Sequence, residues 1–314
     1  MNPLSAVYGA VVETRNALYD RGIFRAERLH RPVVSVGNIS VGGAGKTPFT
    51  MMLGELLKSR GVAFDVLSRG YRRESTGVRV VDANGSGREF GDEPLLIARR
   101  LGVPVVVGEG RYEAGVAAEE KFATELHLLD DGFQHRQLAR DLDIVLVAVD
   151  DLRAGLLPTG RLREPISSLG RADVLVVDEE FGSTVLPLRN GQAVWRVRRG
   201  MRVSGVSPRP VAFCGIARPQ RFFSQLRKAG VEVAEEVKFR DHHRYSEADV
   251  RRLLAVAREK NADGFITTAK DEVNLGVLAQ QLQPLAMAEV TMELADAEAA
   301  LELIAARCGS GGRS

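Results

Sequence analysis

The sequence predicts an α/β protein of two domains, the larger built on a mainly parallel sheet and the smaller, C-terminal one on a second α/β series. Three observations predict it. Apolar runs of about five residues alternate with helix-period patterns. A glycine-rich stretch, Ser40-Val41-Gly42-Gly43-Ala44-Gly45-Lys46-Thr47, separates the first run from the first helix. The pattern then breaks and restarts around residues 190–206. At roughly 150 residues per domain, a chain of 314 residues fits two.

The runs at 33–36, 62–67, 103–107, 126–129, 144–149 and 174–177 are rich in Val and Leu without polar alternation. Such strands are buried on both faces, as in a parallel sheet covered by helices. The clearest helix follows Lys46, with Phe49, Met52, Leu53, Leu56 and Leu57 on one face and Gly61 closing it. Residues 190–206 hold two segments of β-type composition, 193–197 and 201–206, flanking Arg198-Arg199-Gly200. They read as a β-hairpin linking the domains. Beyond it come a strand at 211–214, a helix at 219–229 and a strand at 231–237. A helix at 246–260 opens with the capping pattern Ser246-x-x-Asp249, strands follow at 265–268 and 288–292, and a last helix spans 296–306. The division is therefore 1–189, a two-stranded linker at 190–206, and 207–314.

Composition narrows the function. With 45% hydrophobic and 27% charged residues the chain has ample core material. A formal net charge of +2 argues against a polyanion binder, so no nucleic acid is expected as a partner. Cys214 and Cys308 lie far apart and form neither a zinc pattern nor a disulfide framework, which suits a reducing compartment. No apolar run is long enough to span a bilayer, and the N-terminus lacks the basic region and compact apolar core of a signal peptide. The tail, CGSGGRS, reads as disordered.

The glycine-rich stretch matches the phosphate-binding loop G-x-x-x-x-G-K-[ST], except that Ser40 takes the first glycine position. Glycines let backbone N–H groups converge on phosphate oxygens, and the following helix N-terminus adds its positive end. Lys46 suits the β- and γ-phosphates, Thr47 suits Mg²⁺, and Pro48 fits a first helical turn. A carboxylate at the end of a nearby strand is also required. The run 126–129 followed by Asp130-Asp131-Gly132 supplies it; alone, Asp-Gly would read as a turn.

Further segments lie in order along the chain: Ser68-Arg69-Gly70-Tyr71, Gly91-Asp92-Glu93-Pro94, Asp130-Asp131-Gly132-Phe133-Gln134-His135, Leu162-Arg163-Glu164-Pro165, Phe213-Cys214-Gly215-Ile216 and Asp241-His242-His243. With GNISVGGAGKTP at the front, the chain resembles the tetraacyldisaccharide 4'-kinase family from Pro32 to about Asp271. The resemblance implies a P-loop kinase domain joined to a smaller α/β domain. It also implies ATP and Mg²⁺ as cofactors, and phosphorylation of the 4'-hydroxyl of the lipid A disaccharide precursor. Ser40 is a feature of that family's loop.

The resemblance further implies that Asp92 assists the acceptor hydroxyl, paired with His242 across the domain cleft. On residues alone, Asp92 would read as a helix N-cap and the two histidines as a polar loop. Arg69, Arg161 and Arg163 are candidates for binding phosphate, surface solvation being the plainer reading of Arg161. Gln134 is a candidate for orienting metal or substrate. Where the family often has Thr-Glu-Lys-Asp, this chain has Thr268-Ala269-Lys270-Asp271, which removes any role built on that glutamate.

An acylated disaccharide must be met at a bilayer surface. Leu4, Val7, Tyr8, Val11 and Val12 fall at helical spacing on one side, and Arg15, Arg21, Arg25, Arg28 and Arg31 follow. This pattern suits peripheral contact with anionic lipid, or packing on the chain's own domain. The resemblance implies the cytoplasmic face of a Gram-negative inner membrane as the setting, and a monomer is expected. The alternative is a P-loop nucleotide switch of the metallochaperone kind, which shares Lys46, Thr47 and Asp130 but lacks Asn-Lys-x-Asp and leaves Asp92 and His242 unexplained.

Overall fold

The computed structural model describes residues 3–182, 184 and 186–309. Helix α1 (Pro3–Asp20) leads into strand β1 (Val33–Asn38), the phosphate loop and α2 (Lys46–Ser59). Then follow β2 (Phe64–Ser68), β3 (Arg79–Val80), α3 (Gly87–Phe90), α4 (Asp92–Leu101), β4 (Val105–Val107), α5 (Arg111–Lys121), β5 (Leu126–Asp130), β6 (Leu142–Val147) and β7 (Val174–Asp178). The second half holds β8 (Ala193–Val203), β9 (Val211–Cys214), α6 (Pro219–Lys228), β10 (Glu235–Lys238), α7 (Glu247–Glu259), β11 (Phe265–Thr268), α8 (Ala269–Leu275), β12 (Leu285–Leu294) and α9 (Ala297–Cys308). The tail expected to be disordered falls, from residue 310 on, outside the described residues.

All twelve strands form one sheet in the order β10-β9-β11-β12-β8-β7-β6-β1-β5-β2-β4-β3. Every pairing is parallel except β3 with β4 and β8 with β12. The central strands β1, β5 and β6 are buried along their whole length, as their predominance of Val, Leu and Ile favours.

One expectation is corrected. Residues 190–206 do not form a hairpin. They contribute β8, one strand running straight through Arg198-Arg199-Gly200, parallel to β7 and antiparallel to β12. Gly200 sits opposite Thr291, and a Cβ there would lie 2.7 Å from its hydroxyl, so this glycine serves close approach between strands and not a turn. The two-stranded connection thus takes its second strand from far down the chain. The last helix of the 207–314 segment packs outside it. Met292, Ala300 and Ile304 pack with Phe49, Leu53 and Ile144 in the core of the first half, so α9 returns across the molecule.

Candidate functional site

β1 delivers the phosphate loop to the carboxyl edge of the sheet, and α2 begins directly after it. Gly42, Gly43 and Gly45 have φ of 76°, 58° and 86°, left-handed values that let the loop curl its N–H groups inward. Ser40 is not among the positive-φ residues, so its position does not demand glycine. It is fully buried, with its hydroxyl 3.3 Å from Asn38 Nδ2. Lys46 Nζ donates to Asn38 Oδ1 at 3.0 Å and lies 3.3 Å from Asp131. Arg199, on β8, donates to the Ala44 carbonyl at 2.7 Å, so the crossing strand touches the loop.

β5 pairs with β1 in a register that sets Asp130 beside Val36, at the root of the loop. Asp130 accepts from Thr50 Oγ1 at 3.0 Å. Burial, then the charges of Glu93 and Asp131, push its carboxyl up to about 7. Burial also pushes the Asp131 carboxyl up, but Lys46 and Arg163, the latter 3.0 Å away, outweigh this and hold it below the usual range. A buried carboxylate facing two others near Thr47 is an environment that a divalent cation stabilises. Among the described residues no three or more His, Cys, Asp or Glu form a self-contained metal site. Mg²⁺ is bound through one or two carboxylates with phosphates and water completing its shell, and Asp130 and Asp131 are two such carboxylates beside the loop.

Asp92 opens α4, and the capping position is Gly91 at φ 90°, so the plain N-cap reading of Asp92 fails. His242 Nδ1 lies 2.9 Å from Asp92 Oδ2, which also has Asn274 Nδ2 at 3.3 Å and Lys270 Nζ at 3.6 Å. Burial pushes the Asp92 carboxyl up, but His242, Lys270 and Asn274 together outweigh it and hold it at about 2. His242 has φ 55°, and its N–H donates to the Gly215 carbonyl at 3.0 Å. Among the described residues, three of the four non-glycine residues with positive φ, Arg72, Asp131 and His242, line the same cleft, where backbone strain is characteristic of a working site. His243 turns away, stacking on Phe239 at 4.6 Å and bonding Asp249 at 3.1 Å. Of the two histidines, only His242 meets Asp92.

A cleft of about 1450 Å³ unites these groups. Lys46, Thr47, Asp130, Asp131 and His242 line it, as do Arg69, Arg163 and Gln134; Asp92 lies buried behind Glu93 and Lys270. Gln134 donates to the Asn38 carbonyl at 2.9 Å and to Glu164 at 3.1 Å, and its Oε1 accepts from Arg163. Arg161 is not in the cleft lining; it pairs with Asp151 at 3.3 Å and lies 3.4 Å from the Ser40 hydroxyl, so it is tied into the protein beneath the loop and is not a solvated surface group.

Sequence reasoning missed Glu93, Lys270 and Arg111. Arg111 is 6% exposed and its Nε has no partner, a buried donor aimed at no protein group. Burial, then Arg69, pushes it down to about 10; burial, then Arg111 and other arginines, pushes neighbouring His135 down to about 4. Only proximity to Asp130-Asp131 and Arg69 in space marks Arg111, and that is invisible in sequence.

A strand–loop–helix phosphate cradle, a strand-end carboxylate beside it and a buried Asp–His pair behind the same cleft define a P-loop phosphotransferase. Comparison with known proteins gives the particular kind. The family model "LpxK: Tetraacyldisaccharide-1-P 4'-kinase" matches residues 1–309. The tetraacyldisaccharide 4'-kinase of Koribacter versatilis is 51% identical, over 97% of each chain; that of Aquifex aeolicus is 39% identical, over 87% of this chain and 88% of its own. A crystal structure described as the "apo" form of LpxK from Aquifex aeolicus in complex with ATP superposes with a TM-score of 0.80, at 35% identity and 98% coverage of both chains. The chain belongs to the tetraacyldisaccharide-1-P 4'-kinase family.

Proposed function

We propose that the protein transfers the γ-phosphoryl group of ATP to the 4'-hydroxyl of a tetraacyldisaccharide 1-phosphate, a step of lipid A biosynthesis. The observation that carries this reading is the convergence of the phosphate loop, Asp130 and His242 on one cleft, with Asp92 bonded to His242 from behind its wall. The loop from Ser40 to Thr47 binds the nucleotide, Lys46 leaving Asn38 and Asp131 for the phosphates. Thr47, Asp130 and Asp131 hold the Mg²⁺, which neutralises charge on the phosphates when bound. Asp92 orients the sugar hydroxyl and takes its proton. In a loose transition state that proton leaves late, so a carboxylate of low basicity serves chiefly by position. Arg69 and Arg111 offer guanidinium groups to the phosphate the acceptor already carries, and Arg163, itself held by Gln134, braces Asp131.

The lipid is met through α1. This helix docks by its polar face. Ser5 donates to the Leu156 carbonyl at 3.0 Å, Tyr8 to Arg163 O at 2.9 Å, and Asn16 to Glu164 at 2.7 Å. Tyr8 and Val12 of the expected apolar stripe turn to the cleft, while Leu4, Val7 and Val11 are each about two-thirds exposed. No helix of the described residues is long and apolar enough to cross a membrane. The exposed apolar stripe therefore rests on the bilayer surface, at the cytoplasmic face of the inner membrane, with the monomer's cleft turned toward the lipid.

The test is incubation with ATP, Mg²⁺ and the lipid disaccharide 1-phosphate. ADP release that requires the lipid, with the product heavier by one phosphate, is the expected result. Acceptor-independent hydrolysis alone would sink the proposal and return the nucleotide switch.

A further inference from the structure

Lys270 stands in the place where a lysine is least expected, against the outer nitrogen of a histidine. Its Nζ lies 3.2 Å from His242 Nε2, 3.0 Å from Glu93 Oε1 and 3.6 Å from Asp92 Oδ2. We propose that Lys270 is a positioning residue which, by donating to Nε2, fixes His242 as the neutral ring carrying its proton on Nδ1, turned to Asp92.

The chemistry leaves little choice. An ammonium has only donors, so at hydrogen-bond distance it requires a lone pair on Nε2. A ring with a lone pair on Nε2 keeps its proton on Nδ1 and donates it to Asp92 Oδ2. Lys270 stays charged: burial pushes its ammonium down, but Glu93 and Asp92 outweigh this and raise it. Its position is braced from below. Asp271 accepts from Tyr245 at 2.9 Å, from the Gly215 N–H at 2.8 Å and from Thr268 Oγ1 at 2.6 Å, within the buried start of α8. The groups facing His242 are Asp92 and Glu93 on α4, Lys270 on α8, the Tyr71 ring edge-on at 5.5 Å, and its chain neighbour Asp241.

This has a consequence for the reaction, and it rests on reading Asp92 as the proton acceptor. With Nε2 taken, His242 cannot accept the acceptor's proton. It acts by holding Asp92 Oδ2, leaving Oδ1, which makes none of these contacts, for the hydroxyl. The proton therefore rests on Asp92 and does not pass through the imidazole.

The experiment is long-range ¹H–¹⁵N spectroscopy of histidine-labelled full-length protein, with His242 assigned by its loss in His242→Gln. The wild type is expected to show His242 with its proton on Nδ1 alone at neutral pH. Lys270→Arg should keep that form, because arginine is also only a donor. Lys270→Met should admit the Nε2–H or doubly protonated ring. Its kcat should fall on the order of tenfold, part of the roughly 10²–10⁴ that a positioned base contributes, with little change in KM for ATP. A wild-type ring protonated on Nε2, or a His242 spectrum unchanged in Lys270→Met, overturns the proposal. Either result reads the resting enzyme, so the kinase reading stands or falls separately, on product formation.

Discussion

His242 Nδ1 meets Asp92 Oδ2 at 2.9 Å although the two residues are 150 positions apart in the chain. One lies at the start of α4, the other in the loop before α7 in the second half of the molecule. Neither half alone contains the pair. Asp92→Asn is expected to lower kcat by roughly 10²–10⁴ while leaving ATP binding intact, since the side chain sits behind the cleft and not on the loop. His242→Ala should cost less, and the double variant should cost little more than Asp92→Asn alone. Steady-state kinetics on the three variants check this; additive losses would count against a single working unit.

The loop's curvature gives a second prediction. Gly45 has φ 86°, and a Cβ there would meet Met292 Cε at 2.5 Å. Gly45→Ala is therefore strained by backbone and by contact, and should destabilise the protein by about 1–2 kcal/mol and weaken ATP binding. Denaturant midpoints and nucleotide titration measure the two effects; wild-type affinity would argue against the cradle.

Membrane contact is separable from folding. Replacing Leu4, Val7 and Val11 together by Asp should abolish sedimentation with anionic vesicles. Each site is exposed, so stability should move by no more than about 0.5 kcal/mol per site. Turnover on substrate dispersed in detergent should survive. Unchanged vesicle binding would remove α1 from the membrane.

A fourth prediction concerns pH and lies away from the cleft. His127 is fully buried in β5 with Nδ1 2.9 Å from Asp65 and Nε2 3.2 Å from Glu119. Burial pushes the imidazole down, but Asp65 and Glu119 outweigh it, so its affinity for a proton is raised above the ordinary 6.5. A raised value means the folded state binds the proton more tightly. The stabilisation is complete below about pH 6.5 and is lost as pH climbs through the folded-state value. The stability advantage of wild type over His127→Gln, from urea midpoints, should be larger at about pH 6 than at about pH 9. The opposite trend would mean the ring is buried neutral.

Legibility in sequence followed the distance over which each feature is determined. The phosphate loop, β1, β5 and the cap at Ser246 are written in neighbouring residues, and each was predicted within a few positions of where it lies. β8 was misread because Arg198-Arg199-Gly200 has turn-like composition, while what keeps it extended is β12, paired from Leu294 back to Ala288. The site divides the same way. Asp92 and His242 were accessible through family resemblance. Lys270 and Arg111 are ordinary surface-type residues in sequence, and only the folded chain buries them beside carboxylates or other cations.

The unbroken sheet has a mechanical corollary. Only the antiparallel ribbon of β8 and β12 carries the sheet from one half to the other, and Arg199 on that ribbon grips the Ala44 carbonyl. Two-stranded ribbons take up larger twists than wider sheets. Any twist of one half of the sheet against the other would pass through this ribbon, and Arg199 would carry it to the loop that grasps the nucleotide.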